Sequence, residues 1–288
     1  MWIVVAVLSA FFAGLTAVLS KCGNEKANSD VVIALRVSVI FVCSWIIVLA
    51  MGAHKAIADM SSKAIISIVL SGVSTGACWI CYFKALSIGD ASKVSAVDKS
   101  SVALSVLFAI IIFPDERNLW WVKLICLVVI VVGTALMTDI KRDGGKRKIA
   151  WLIFALLSAV FSTATSLLGK IGTESVDSNC ATALRTCVIL VMAWLIVFCK
   201  RETKYVKELR GKEIFFLILS GITTTANWFC YYYAIQKGQV SIVVPIDKMS
   251  ILVTVVFSLI FLKEKLSVKA WFGLALLTAG TVCMAVFT

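Results

Sequence analysis

Apolar residues along this chain fall in long runs, without the period-two alternation of half-buried strands. The runs stand near 2–20, 31–52, 64–83, 94–113, 120–138, 151–169, 180–199, 214–235, 240–262 and 270–287. Each is about 17–24 residues, enough to carry a helix across a ~30 Å hydrocarbon core. The pattern predicts an all-α integral membrane protein with ten transmembrane helices. The first run has no basic residue before it and has the look of a leader. A near copy of it recurs at 151–169, where a removable leader would not be repeated, so it reads as a helix.

The copy extends over the whole chain. One ungapped shift lays Trp151 on Trp2, Ser158 on Ser9, Lys170 on Lys21, Arg185 on Arg36 and Trp194 on Trp45. It continues with Trp228 on Trp79, Tyr231 on Tyr82 and Asp247-Lys248 on Asp98-Lys99. The domains therefore read as a five-helix repeat at 1–140, a basic linker at 141–149 and a second five-helix repeat at 150–288. Five is odd, so two copies joined by a short loop cross the membrane in opposite senses. That predicts an inverted repeat, the build of many secondary transporters.

Composition sharpens this. Hydrophobic residues make up 61% and charged residues 15% of the chain, against roughly 45–50% and about 25% in a soluble domain. A soluble enzyme, a nucleic-acid-binding domain and a secreted disulfide scaffold are excluded together. The net charge of +12 lies mostly in the connections and reads as topogenic charge facing anionic lipid, with no nucleic-acid partner. The connections 200–213 and 263–269 carry nine Lys or Arg, while 170–179 and 236–239 carry two. The linker adds Lys141, Arg142, Lys146, Arg147 and Lys148. Keeping those segments cytoplasmic puts both termini outside a plasma (inner) membrane. Most of the ten cysteines sit inside apolar runs and read as small packing residues.

The duplicated segments Leu70-Ser71-Gly72, Trp79-Ile80-Cys81-Tyr82 and Asp98-Lys99, with Glu116 and Glu264 after the fourth and ninth runs, resemble the EamA domain of the drug/metabolite transporter superfamily. The similarity is greatest to half-length five-helix members, here fused in tandem. It implies a transporter fold and a small-molecule substrate drawn from a range that includes drugs, amino acids and nucleotide-sugars. Two features depart from that pattern. Many ten-helix relatives keep both termini in the cytoplasm, and the acidic first-helix residue of the small multidrug-resistance branch is missing from 2–20 and 151–169.

Charge inside a bilayer is costly, so each intramembrane charge needs a reason. Arg36, Asp98, Lys99, Arg185, Asp247 and Lys248 read as such charges. Arg36 and Asp98 fall at similar depth and could pair, and Arg185 with Asp247 would be the matching set. Asp98 and Lys99 point about 100° apart on a helix and are poor partners for each other. Asp98, Ser101 and Ser105 form a stripe repeated by Asp247, Ser250, Thr254 and Ser258. Ser71, Thr75, Cys78 and Tyr82, with Trp79 alongside, form a polar and aromatic wall that Ser220, Thr224, Asn227, Tyr231 and Trp228 repeat. Structural ion pairs, snorkelling side chains and ordinary aromatic packing are the bland readings of the same residues. Pro245 marks a helix start, a kink or a site, and Glu116 and Glu264 read as structural groups at the interface. Gly72 and Gly76 fit close helix packing.

No catalytic set, metal-ligand cluster or cofactor motif is visible, so the chain reads as a non-enzyme with no cofactor. The leading expectation is a secondary active transporter of small organic metabolites working by alternating access. Asp98 and Asp247 are its candidate proton carriers. A lipid or lipid-linked-sugar flippase is the alternative from another class. Oligomeric state is not encoded in any motif. Pairing one cation with each aspartate leaves positive charge in each half at Lys99 and Lys248, which favours a substrate bearing a carboxylate or phosphate over an organic cation.

Overall fold

Eleven α-helices build the described part of the chain. The computed structural model describes residues 1–23, 28–57, 60–88, 94, 97, 101–137, 150–209, 211–261 and 267–287. In order they are α1 (Trp2–Gly23), α2 (Ser29–Ala50), α3 (Ser62–Ile88), α4 (Ser101–Ile112), α5 (Trp120–Met137) and α6 (Ala150–Thr173). Then follow α7 (Ser178–Cys199), α8 (Gly211–Lys237), α9 (Val240–Lys248), α10 (Ser250–Phe261) and α11 (Val268–Phe287). Among the described residues, eight stretches are long and apolar enough to cross a membrane, and Ser101–Ile112 and Trp120–Leu136 are shorter apolar helices. Regular structure among the described residues is all helical, and the chain is a multi-pass membrane protein. Outward-facing Val, Ile, Leu and Phe such as Ile46, Val128, Phe215 and Phe272 remain exposed because their solvent is lipid.

Local chemistry starts the helices in matching ways. The Asn28 side chain accepts from the backbone N–H of Asp30 at 3.0 Å and of Val31 at 3.2 Å, capping α2. Asp177 does the same for α7, accepting from Asn179 at 2.9 Å and Cys180 at 3.3 Å. These caps satisfy donors that the first helical turn leaves without intrahelical partners. The repeat register lays Asp177 on Asn28, so the cap is one device used twice.

The chain divides into two compact units. The first comprises Met1–Val73, Leu168–Lys237 and Ser250–Lys263, and the second Ser74–Leu167, Gly238–Met249 and Glu264–Thr288. Each unit draws on both sequence halves.

In the first unit α1 packs along α8, and α2 along α7. Thr16 and Thr223 hydroxyls bond at 2.9 Å, and Asn227 Nδ2 donates to the Ser9 carbonyl at 2.8 Å. Lys200 pairs with Asp30, while the register-related Asn179 Nδ2 donates to Met51 Sδ at 3.9 Å. An ion pair in one copy is thus an amide and a thioether in the other. Gly72 and Gly221 occupy equivalent close approaches. A Cβ on Gly72 would stand 2.8 Å from Val188 Cβ, and one on Gly221 2.7 Å from Val39 Cγ1. Close packing without side-chain bulk is what membrane helices use in place of a hydrophobic drive.

In the second unit α11 packs on α5 and α9 on α4. Thr75 and Thr165 hydroxyls lie 3.2 Å apart, and Cys78 Sγ lies 3.4 Å from Ser158 Oγ. These are the register images of Thr224 with Thr16, at 3.5 Å, and Asn227 with Ser9 in the first unit. Thr163 Oγ1 donates to the Ser101 carbonyl at 3.1 Å and ties α4 to α6.

Sequence periodicity places one helix at 240–262; the structure breaks it. The first piece ends at Lys248, Met249 turns with its N–H on the Ile246 carbonyl at 2.9 Å, and α10 begins at Ser250. Pro245, the sixth residue of α9, brings no N–H to the Ser241 carbonyl and its ring crowds the preceding turn.

Candidate functional site

The sequence-derived candidates divide between the two units. The first unit holds Arg36, Arg185, Asn227, Trp228 and Tyr231, and the second holds Trp79, Tyr82, Asp247 and Lys248. Asp98 and Lys99 lie outside the described residues, and so does Glu264. The expected partnership of Arg36 with Asp98 therefore has only one described member.

Arg185 is the most enclosed of the candidate charges described here, at 4% exposure on α7. Its Cζ stands 4.7 Å from the Trp228 ring centroid and 4.4 Å from that of Tyr232, two residues one turn apart on α8. Tyr231 meets Tyr232 edge to face, with centroids 5.2 Å apart and planes at 89°. Such a cation is held by the negative ring faces, worth about 2 kcal/mol when desolvated. Tyr232 was not among the sequence candidates. Its signal is its spacing: Trp228 and Tyr232 stand at i and i+4 and share a helix face.

Arg36 is half-buried on α2 and donates from Nη1 to Ser20 Oγ on α1 at 2.9 Å. Asn227 is buried in the α1–α8 seam, where the Ser9 carbonyl and, at 3.4 Å, the Ser9 hydroxyl take its amide. Thr224, from the same stripe, returns its hydroxyl to the Ser220 carbonyl at 2.7 Å. This part of the polar stripe is engaged in helix packing. In the second unit Tyr82 packs with Trp151 and Phe154 against Ala85, Val94 and Ala155. Trp79 is half-buried nearby on α3.

Asp247 and Lys248 are the last two residues of α9, both half-buried, beside the break at Met249. The carbonyl end of a helix carries partial negative charge and suits a cationic side chain such as Lys248. The Asp247, Ser250, Thr254 stripe crosses this break, so its members do not ride one continuous helix.

A further constellation anchors the start of α9. Glu116 is fully buried and accepts from the Val240 N–H, the Ser241 N–H at 3.3 Å and the Ser241 hydroxyl. Lys123 Nζ, also fully buried, lies 3.3 Å from Glu116 Oε2 and donates to Gln239 Oε1 at 2.8 Å. The structural role expected for Glu116 holds, but the helix it fixes is α9, far away in sequence. Lys123 escaped notice because it follows two tryptophans at the start of an apolar run, where it resembles boundary charge. Among the described residues no group of three or more His, Cys, Asp or Glu is placed to hold a metal ion.

Comparison with known proteins agrees with this architecture. The model of the EamA-like transporter family matches residues 1–139 and again 149–286. An uncharacterized transporter in the cobO 3' region of Sinorhizobium sp is 38% identical over 138 residues, 48% of this chain and 98% of the relative. An uncharacterized protein of Methanocaldococcus jannaschii is 27% identical over 135 residues, 47% of this chain and 96% of its own length. Each of these relatives, matched nearly end to end, covers just under half of this chain. A solved crystal structure superposes with a TM-score of 0.78 at 15% identity, covering 98% of both chains, which bears on the fold alone. With both halves matched by one family, the chain belongs to the EamA-like transporter family.

Proposed function

We propose that this protein is a secondary active transporter of small organic metabolites in the plasma membrane. Its ten helices form two inverted five-helix repeats that exchange roles in alternating access. The recurrence of polar contacts in register carries this reading. Ser9 with Asn227 and Thr16 with Thr224 have their images in Ser158 with Cys78 and Thr165 with Thr75. Equivalent seams let two halves interchange conformations at little net cost, which is the logic of inverted-repeat carriers. The broken helix at Met249 supports ion coupling. A half-helix carbonyl end beside Asp247 is the kind of place where such carriers hold a coupling ion or proton.

Flux into proteoliposomes tests this. A panel of metabolites screened by thermal shift should yield hits that enter vesicles saturably and respond to an imposed pH gradient or to trans substrate. Vesicles that scramble labelled lipid while passing no solute would replace the reading with that of a flippase. Asp98→Asn, Asp247→Asn or the double variant should uncouple uptake from pH while the protein still folds, since the amide keeps volume and removes titration. Unchanged pH dependence in all three would return the aspartates to a structural role.

Orientation has its own expected result. With the basic connections 139–149 and 200–213 inside, a C-terminal reporter should sit outside the cell. A fluorescent cytoplasmic fusion at Thr288 would overturn that orientation.

A further inference from the structure

Helices α5 and α11 close the two repeats and meet backbone to backbone. An added Cβ on Gly133 would stand 2.7 Å from the Gly273 oxygen, and one on Gly280 3.2 Å from the Cys126 oxygen. Facing residues rise along one helix as they fall along the other, so the pair is antiparallel. The register that lays Gly280 on Gly133 also lays Gly273 on Cys126 and Cys283 on Leu136. Each end of the seam is therefore an image of the other in backbone contact.

The side-chain chemistry is not repeated. One turn beyond Gly280 the seam brings Cys283 against Cys126, and the two thiols share a hydrogen bond. The image of that pair is Leu136 with Gly273, which carries no sulfur. Cys126 is 3% exposed, Cys283 is half-buried, and both are reduced. Val282 and Val286, which flank Cys283 on α11, are exposed toward lipid. One thiol is thus reachable from the bilayer, and the other stands behind it. Hydrogen-bonded thiols on backbones held this close need little movement to reach an S–S distance of about 2.0 Å.

We propose that Cys126 and Cys283 are a redox modification site, a dithiol that an organic hydroperoxide dissolved in the bilayer converts into a disulfide stapling α5 to α11. Cys283, the more exposed thiol, reacts first. Its sulfur takes the terminal peroxide oxygen, the O–O bond breaks, and the thiol proton leaves with the alkoxide as an alcohol. The Cys126 sulfur then attacks the Cys283 sulfur. The S–S bond forms, the S–O bond breaks, and hydroxide departs with the Cys126 proton as water. The two thiols lose two electrons in all, and the hydroperoxide is reduced to alcohol and water. A thiol reductant reverses the link, and the site is independent of which solute the protein carries.

The full-length protein in detergent, exposed to cumene hydroperoxide, tests the assignment. Remaining thiols are capped with N-ethylmaleimide in denaturant, and the digest is read by mass spectrometry. Most of the wild-type Cys126 should be recovered in a peptide joined to Cys283, two hydrogens lighter than the separate peptides, and dithiothreitol should restore both thiols. Cys126→Ser should leave Cys283 as a sulfenic acid captured by dimedone. In Cys283→Ser, loss of the Cys126 thiol should slow by about tenfold or more, because the neighbour that makes the step intramolecular is gone. The wild-type peptide map alone decides the matter if either variant does not fold. Cys126 that stays capped while other cysteines oxidise, or that joins a cysteine other than Cys283, overturns the proposal. Equal loss of the Cys126 thiol with and without Cys283 does the same.

Discussion

Glu116→Ala should cost about 3–5 kcal/mol, the scale of stranding a buried charge. Two losses coincide. Lys123, fully buried, loses the carboxylate 3.3 Å away, and the N-terminal donors of α9 at Val240 and Ser241 lose their shared acceptor. Heat unfolding in detergent, followed by gel filtration, should show most of the variant aggregated where the wild type is monodisperse. Lys123→Met should be milder, because Glu116 keeps its backbone and hydroxyl donors. The double variant Glu116→Ala with Lys123→Met should recover part of the loss, since no charge is then stranded. A Glu116→Ala protein that unfolds with the wild type would show that the α9 start does not depend on this carboxylate.

Gly133→Ala should also destabilise strongly, by about 1–3 kcal/mol, because overpacking here meets atoms that cannot rotate away. The added Cβ would lie 2.7 Å from both the Gly273 carbonyl oxygen and the Leu277 nitrogen, so α5 and α11 must move apart. Gly280→Ala, at the counterpart position once the register shifts by two residues, meets Ile130 Cγ1 at 2.9 Å and the Cys126 oxygen at 3.2 Å. The side chain can yield there, and the loss should be smaller. Gly211, at the first position of α8, has nothing within 4 Å of an added Cβ, so Gly211→Ala should leave the unfolding midpoint unchanged or slightly raised. Equal midpoints for Gly133→Ala and Gly211→Ala would contradict the close approach of α5 and α11.

The helices were legible because lipid imposes a coarse rule: about twenty apolar residues are needed, and breaks between them show as charge. What that rule hides is anything inside a run. The break at Met249 lies inside one apolar run, and the residues beside it, Pro245 and Asp247-Lys248, read as kink or site residues without marking a helix end. Lys123 was missed for the opposite reason, since a lysine near a run boundary looks like topogenic charge until a partner from a distant segment is seen. Arg185 was found as a costly charge, but its surroundings depend on Gly169, where a Cβ would stand 2.4 Å from Tyr232 Cε1, and a glycine says nothing by itself. Side-chain pairings between helices, such as Asn227 with Ser9, are set by packing across more than two hundred residues of chain, beyond the reach of any local pattern. The repeat was the exception: once Trp151 is laid on Trp2, the partners in one seam name the partners in the other.

Fusion of the two halves has an evolutionary consequence at positions 20 and 169. A half-length ancestor assembled as two identical copies must carry the same residue at both places. It cannot keep the hydroxyl that serves Arg36 and, in the same assembly, the bare backbone that admits Tyr232. Once the copies share one chain, each mutation lands in a single copy and the two arginines become free to specialise. Ser20 and Gly169 differ in this chain, a difference that one sequence used twice could not carry.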